Sequence, residues 1–91
     1  MKTDFEKICD IEMLSERCGS FSQLFRMMVY SNSVHKNIDT FCDVMGIKKS
    51  TYYYWLNGKR HPSKDHLLKI YEFFGMGNLN FQPVAYLANR Q

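Results

Sequence analysis

Residues 37–56 read NIDTFCDVMGIKKSTYYYWL, and the fold is decided by this run. Ile38, Phe41, Cys42 and Met45 recur at helical spacing and make one apolar face, on a helix that opens at Asn37. The Asn37 side-chain amide is expected to accept from a free N–H of that opening turn. Gly46 follows the last periodic residue, where a helix ends most easily in the left-handed region, and Ile47 can fold back as the apolar contact of the cap. Lys48, Lys49 and Ser50 then open a second helix. On it Tyr52, Trp55 and Leu56 share an inward face, which leaves Lys49, Ser50, Tyr53 and Tyr54 on the others. The run is therefore two short helices joined by a tight turn, the second displaying a polar, basic and aromatic surface.

Working outward, Asn57-Gly58 ends the second helix and Lys59 to Pro62 loop out. Pro62-Ser63 starts a further helix with Ser63 as N-cap, Leu67, Ile70, Tyr71 and Phe74 as its core face, and Gly75 and Gly77 at its end. On the other side, Ser20 and Gln23 have capping-box spacing ahead of an apolar face of Phe21, Leu24, Phe25 and Met28 that runs to about Ser31. Met27, Met28 and Met45 read as gap fillers in the core. Residues 32–36 are a polar loop with Val34 tucked inward and Lys36 placed to reach a phosphate.

Residues 3 to about 17 predict an N-terminal helix, with Thr3 and Glu6 at capping-box spacing and a ragged stripe through Phe5, Ile8, Ile11 or Glu12, and Leu14 or Ser15. Cys18-Gly19-Ser20 breaks it, with Gly19 as the C-cap. At the far end Pro83 suits a first helical turn, and Val84, Leu87 and Ala88 make a small stripe. With Phe81 and Tyr86 nearby, this tail either closes the core or meets a second subunit.

The run GIKKSTYYYWLNGKRHPSKDHLLKIYEFFGM resembles the lambda-repressor-like (Xre/Cro) helix-turn-helix family. In that family a turn glycine, a Ser/Thr-rich recognition helix, an N-G-K/R-x-x-P segment and an amphipathic fourth helix follow in this order. The resemblance covers residues 21–76, and Gly46 with Ile47, Ser50-Thr51, Trp55, Asn57-Gly58-Lys59-Arg60 and Pro62 carry most of it. Three departures stand out. Cys42 occupies the close-approach position where alanine is usual, and it is small enough to preserve the packing. Ile38 stands where a phosphate-touching glutamine is often found, followed by acidic Asp39; Ser31 and Leu56 stand where an arginine and a glutamate commonly pair.

The resemblance implies an all-α fold: a compact bundle of about five to six short helices with a central helix-turn-helix, a lambda repressor-like DNA-binding domain. The chain reads as one such domain over residues 1–91, with an N-terminal helix extension at 1–19, the family core at 20–76 and a C-terminal tail at 77–91. It further implies that the second helix of the motif enters the major groove while the preceding helix crosses the phosphates. Lys49, Ser50, Tyr53 and Tyr54 would then face DNA, with Asn37 and Thr51 beside them, and Lys49 would donate to guanine O6 or N7.

Charge supports that placement. The net charge of +3 conceals a segregation. Residues 1–20 carry Lys2, Lys7 and Arg17 against Asp4, Glu6, Asp10, Glu12 and Glu16, for −2, whereas residues 48–69 carry Lys48, Lys49, Lys59, Arg60, Lys64 and Lys69 against Asp65, for +5. Lys64 and Lys69 read as ordinary solvating lysines. Lys48, Lys49, Lys59 and Arg60 instead flank the recognition helix, as Lys36 precedes the helix before it, where cations meet phosphates.

With 91 residues the chain buries roughly 60 to 65% of its unfolded surface, a modest margin. Its 45% hydrophobic and 15% aromatic content argues for dense packing and leaves room for a dimer interface. No apolar run approaches the length of a membrane span, and no secretory signal opens the chain, so the cytoplasm, with the nucleoid, is the expected location. Cys9, Cys18 and Cys42 show no metal-ligand spacing and predict reduced thiols; His35, His61 and His66 show no ligand or catalytic pattern. No catalytic residue, metal, cofactor or small-molecule substrate is expected. The expected function is a sequence-specific transcriptional regulator that binds double-stranded DNA, repressor-like and a homodimer on a near-palindromic operator. The rival is a protein-interaction adaptor or antitoxin-like module that keeps the scaffold, because fold alone does not establish function.

Overall fold

A computed structural model of the chain describes residues 2–77. The described residues are all-helical: α1 (Asp4–Cys18), α2 (Phe21–Ser31), a single 3-10 turn (Val34–Lys36), α3 (Ile38–Met45), α4 (Lys49–Asn57) and α5 (Lys64–Phe73). The expected all-α bundle is the one found. The tail, with the helical turn expected at Pro83, the stripe of Val84, Leu87 and Ala88, and Phe81 and Tyr86 nearby, lies outside the described residues.

Local chemistry explains most of the boundaries. Thr3 Oγ1 accepts from the Glu6 N–H at 3.2 Å and Glu6 Oε1 accepts from the Thr3 N–H at 3.0 Å, the reciprocal capping box expected of α1. At α2 only half of the expected box forms, Ser20 Oγ accepting from the Gln23 N–H at 3.2 Å. Gly46 ends α3 at φ 70°, and the Ile47 N–H reaches back to the Cys42 carbonyl at 3.0 Å, which turns the chain sharply toward α4. Ser63 caps α5, accepting from the His66 N–H.

Three details correct the sequence reading. Asn37 precedes α3 but makes no side-chain cap; its Oδ1 accepts instead from the Thr40 hydroxyl at 2.9 Å. Its backbone, at φ −145° and ψ 59°, departs from the extended conformation in which cap side chains meet the N–H groups of the first turn. The polar segment 32–36 is not a plain loop, because Val34–Lys36 winds one 3-10 turn that carries Val34 into the core. Phe74 lies one residue beyond α5, half-buried on the core, rather than within the helix.

The core is centred on α2. Phe25 is fully buried, with ring centroids 5.5 Å from Phe21, 5.8 Å from Phe41, 5.7 Å from Tyr52 and 5.8 Å from Trp55. One side chain of α2 thus touches the inward faces of both α3 and α4. Cys42 is buried where those helices meet. Leu56, in the place of the usual glutamate, is buried as well and adds apolar area instead of an ion pair. α1 packs on α2 and α5, burying Ile11 and Cys18, and Lys7 reaches Glu72 of α5 at 2.7 Å. The methionines divide as expected of fillers, Met28 and Met45 fully buried and Met27 half-buried at the edge.

Candidate nucleic-acid interface

The inward residues of α4, Tyr52, Trp55 and Leu56, are buried, and their burial sets the rotation of the helix. Lys49, Ser50 and Tyr53 are consequently exposed, while Thr51 and Tyr54 are half-buried along the flanks. Lys48 precedes the helix in extended conformation, and its carbonyl accepts from the N–H groups of Thr51 and Tyr52. Its side chain is exposed at the entrance to α4, at the end of the helix where the backbone dipole favours an anion.

At the opposite end the Tyr54 carbonyl accepts from the N–H groups of Gly58, Lys59 and Arg60, the last two at 2.9 and 3.3 Å. Gly58 takes φ 78° to make this reversal, and Asn57 Oδ1 accepts a further bond from the Lys59 N–H. The Arg60 guanidinium folds back over the Tyr54 ring, 4.9 Å from its centroid. The loop cation is thereby tied to the helix it follows. Lys36 and Asn37, both exposed, stand at the end of the 3-10 turn that leads into α3. The expected residues therefore fall in three groups: Lys36 and Asn37 ahead of α3; Lys48, Lys49, Ser50 and Thr51 at the start of α4; and Lys59 and Arg60 beyond its end, with Tyr53 and Tyr54 between.

Lys49 is not an isolated cation. Its ammonium lies 2.8 Å from the carboxylate of Asp39, in the first turn of α3, with both side chains largely exposed at 60% and 74%. The hydrogen bond to Asp39, and then its negative charge, hold the Lys49 amine above its ordinary pKa. Sequence reading noticed Asp39 but not this pairing. The signal available to it was opposite charges in the first turns of two helices joined by a short turn. Lys69, set aside as a solvating lysine, points to the other end of α3 and donates to the Met45 carbonyl at 3.4 Å, beside Gly46.

The histidines lie elsewhere. His61 is next to Phe21, His66 bonds Ser63, and the His35 ring lies tilted against Tyr30. Among the described residues no group of His, Cys, Asp or Glu is placed to hold a metal ion, and Cys9, Cys18 and Cys42 form no disulfide. Burial raises the Cys42 thiol pKa above its ordinary value. No helix among the described residues is long and apolar enough to cross a membrane.

Comparison with known proteins agrees with this geometry. A helix-turn-helix family model matches residues 35–77, the span from the 3-10 turn through α5. Over that segment, a little under half of the chain, the protein is similar to the lambda-repressor-like (Xre-type) helix-turn-helix family. No curated protein and no solved structure matches the chain.

Proposed function

We propose that the protein is a sequence-specific transcriptional regulator of repressor type that binds an operator in duplex DNA as a homodimer, α4 entering the major groove. The observation that carries this reading is the setting of α4. Its inward aromatics are buried, while Lys49, Ser50 and Tyr53 remain exposed between Lys48 at one end and Lys59 and Arg60 at the other. Ser50, Thr51, Tyr53, Tyr54 and Lys49 serve the groove, and Lys36, Asn37, Lys48, Lys59 and Arg60 serve the phosphates. Residues 1–91 act as one unit, with 1–19 an extension, 20–76 the core and 77–91 a tail. Such a regulator works in the cytoplasm, at the nucleoid.

The dimer has support in the apolar surface exposed among the described residues. Phe5 and Met13 stand eight residues apart on α1 at 74% and 54% exposure, and Val44 and Phe73 are exposed beside a shallow groove between α1, α3 and α5. A two-fold dimer would set its recognition helices roughly 34 to 36 Å apart. Sedimentation that finds a monomer both free and on DNA would remove this part of the reading.

A salt titration on duplex DNA tests the rest. If Lys36, Lys48, Lys59 and Arg60 each neutralise about one phosphate, a dimer touches about eight, and log K falls against log salt with a slope near −7. Binding that ignores salt, or no binding at low salt, would leave the adaptor or antitoxin-like alternative as the better account.

A further inference from the structure

We propose that Asp39 is a specificity-determining residue, holding the Lys49 ammonium for a base edge and withholding it from the phosphates; this rests on the DNA-binding reading above. An acid in the first turn of α3 is out of place on that reading, since this helix crosses the DNA backbone and a carboxylate there meets like charge. The geometry supplies the explanation. Asp39 and Lys49 belong to different helices, yet their charges meet at 2.8 Å on the exposed side of both.

A purely structural role accounts poorly for the pair. Both members are more than half exposed, where solvent screens an ion pair to little net worth. The two helices are already joined by the Gly46 turn, and Phe41 of α3 lies edge-on to Tyr52 of α4 at 5.7 Å. The pair adds little to a junction that buried aromatics have made.

Its effect on binding is larger, because two kinds of complex treat it differently. Where the protein is held by phosphates alone, a phosphate that meets the paired Lys49 also meets the Asp39 carboxylate beside it, and the like charges repel unless the pair parts. Where the ammonium meets guanine O6 and N7, its remaining protons suffice and the pair stays whole. The acid therefore penalises the random complex and spares the specific one, discrimination by disfavouring the competitor. It also limits where the ammonium can sit, which a flexible lysine on its own does not.

The test uses the full chain, with a preferred duplex selected from a random pool by the wild-type protein. Asp39→Asn should strengthen random-duplex binding about tenfold or more at low salt and steepen the dimer's slope by about two units, as one freed lysine per subunit reaches a phosphate. The ratio of selected to random affinity should fall by about tenfold or more, and Asp39→Glu, which keeps the charge, should retain most of it. With Lys49→Ala in place, Asp39→Asn should change the ratio little further. Equal strengthening on both duplexes would reduce Asp39 to a repulsive charge and overturn the proposal. So would an undiminished loss of ratio in the Lys49→Ala background. A wild-type chain that binds no duplex at low salt overturns the DNA-binding reading itself, and this proposal with it. Thermal melts accompany each variant, and the exposed position of Asp39 predicts midpoints close to wild type.

Discussion

On one side of α4, Tyr52 and Trp55 are sealed beneath α2 with Phe25 edge-on to both rings; on the other, Tyr53 stands 48% exposed and Tyr54 lies half-covered by the Arg60 guanidinium. Three consecutive tyrosines thus meet three environments. A helix advances about 100° per residue, so chemically identical neighbours are carried from core to flank within two steps. What separates them is the phase of the helix, and Trp55 and Leu56, one turn further on, hold that phase by burying the same side as Tyr52.

The most severe way to break this contrast is Trp55→Ala. Emptying so large a buried site is expected to cost about 3 to 5 kcal/mol, a large part of the margin of a small domain. Thermal or denaturant melts check it, and an unchanged midpoint would mean that the inward and outward faces have been exchanged.

Next in size are the cations beyond the end of α4. Lys59→Ala or Arg60→Ala should each make a dimer's salt slope shallower by about two units, one per subunit, and weaken selected and random duplexes alike. Fluorescence anisotropy across a salt series reads both quantities. Lys49→Ala should differ in kind, chiefly blunting discrimination between bases.

A finer contrast lies between the outward tyrosines. Tyr53→Ala should leave the midpoint within about 0.5 kcal/mol of wild type, whereas Tyr54→Ala should cost about 1 kcal/mol by releasing Arg60 and uncovering the flank. Both should weaken duplex binding. If Tyr53→Ala melts as low as Trp55→Ala, that ring belongs to the core.

The smallest expected change sharpens the inward side. The Tyr52 hydroxyl is buried with no hydrogen-bond partner among the described residues, and burial pushes its pKa up to about 12. Tyr52→Phe removes a polar group that gains nothing from its position, so the midpoint at neutral pH should hold or rise slightly. The pH dependence follows from the direction of the shift. A folded-state pKa above the unfolded value of about 10 means this contribution is whole below about pH 10 and lost as pH climbs toward 12. Over that window Tyr52→Phe should lose less stability than wild type in parallel urea melts.

How far the residues alone foretold this molecule depends on how far apart the interacting groups lie. The capping box of Thr3 and Glu6, the left-handed glycine at 46, the end of α4 at Asn57-Gly58 and the buried stripe of α4 involve groups within about one helical turn, and each formed as expected. Among the local features that departed, Asn37 failed because the 3-10 turn before it set a backbone from which its amide meets the Thr40 hydroxyl rather than an N–H. Phe73, absent from the expected core face, nevertheless places its ring 5.0 Å from Phe41.

The candidate interface divides in the same way. Which residues of α4 are turned outward followed from periodicity, since every apolar neighbour three or four positions away constrains the same rotation. That Lys49 is engaged by Asp39, that Lys69 reaches the end of α3, and that α2 supplies the ring against which both motif helices pack were decided only when separate helices crossed. Periodicity and caps are short-range, settled by dihedral preferences and bonds inside one turn. A contact between helices depends on the angle and distance at which two buried faces interlock, and no single segment contains either quantity.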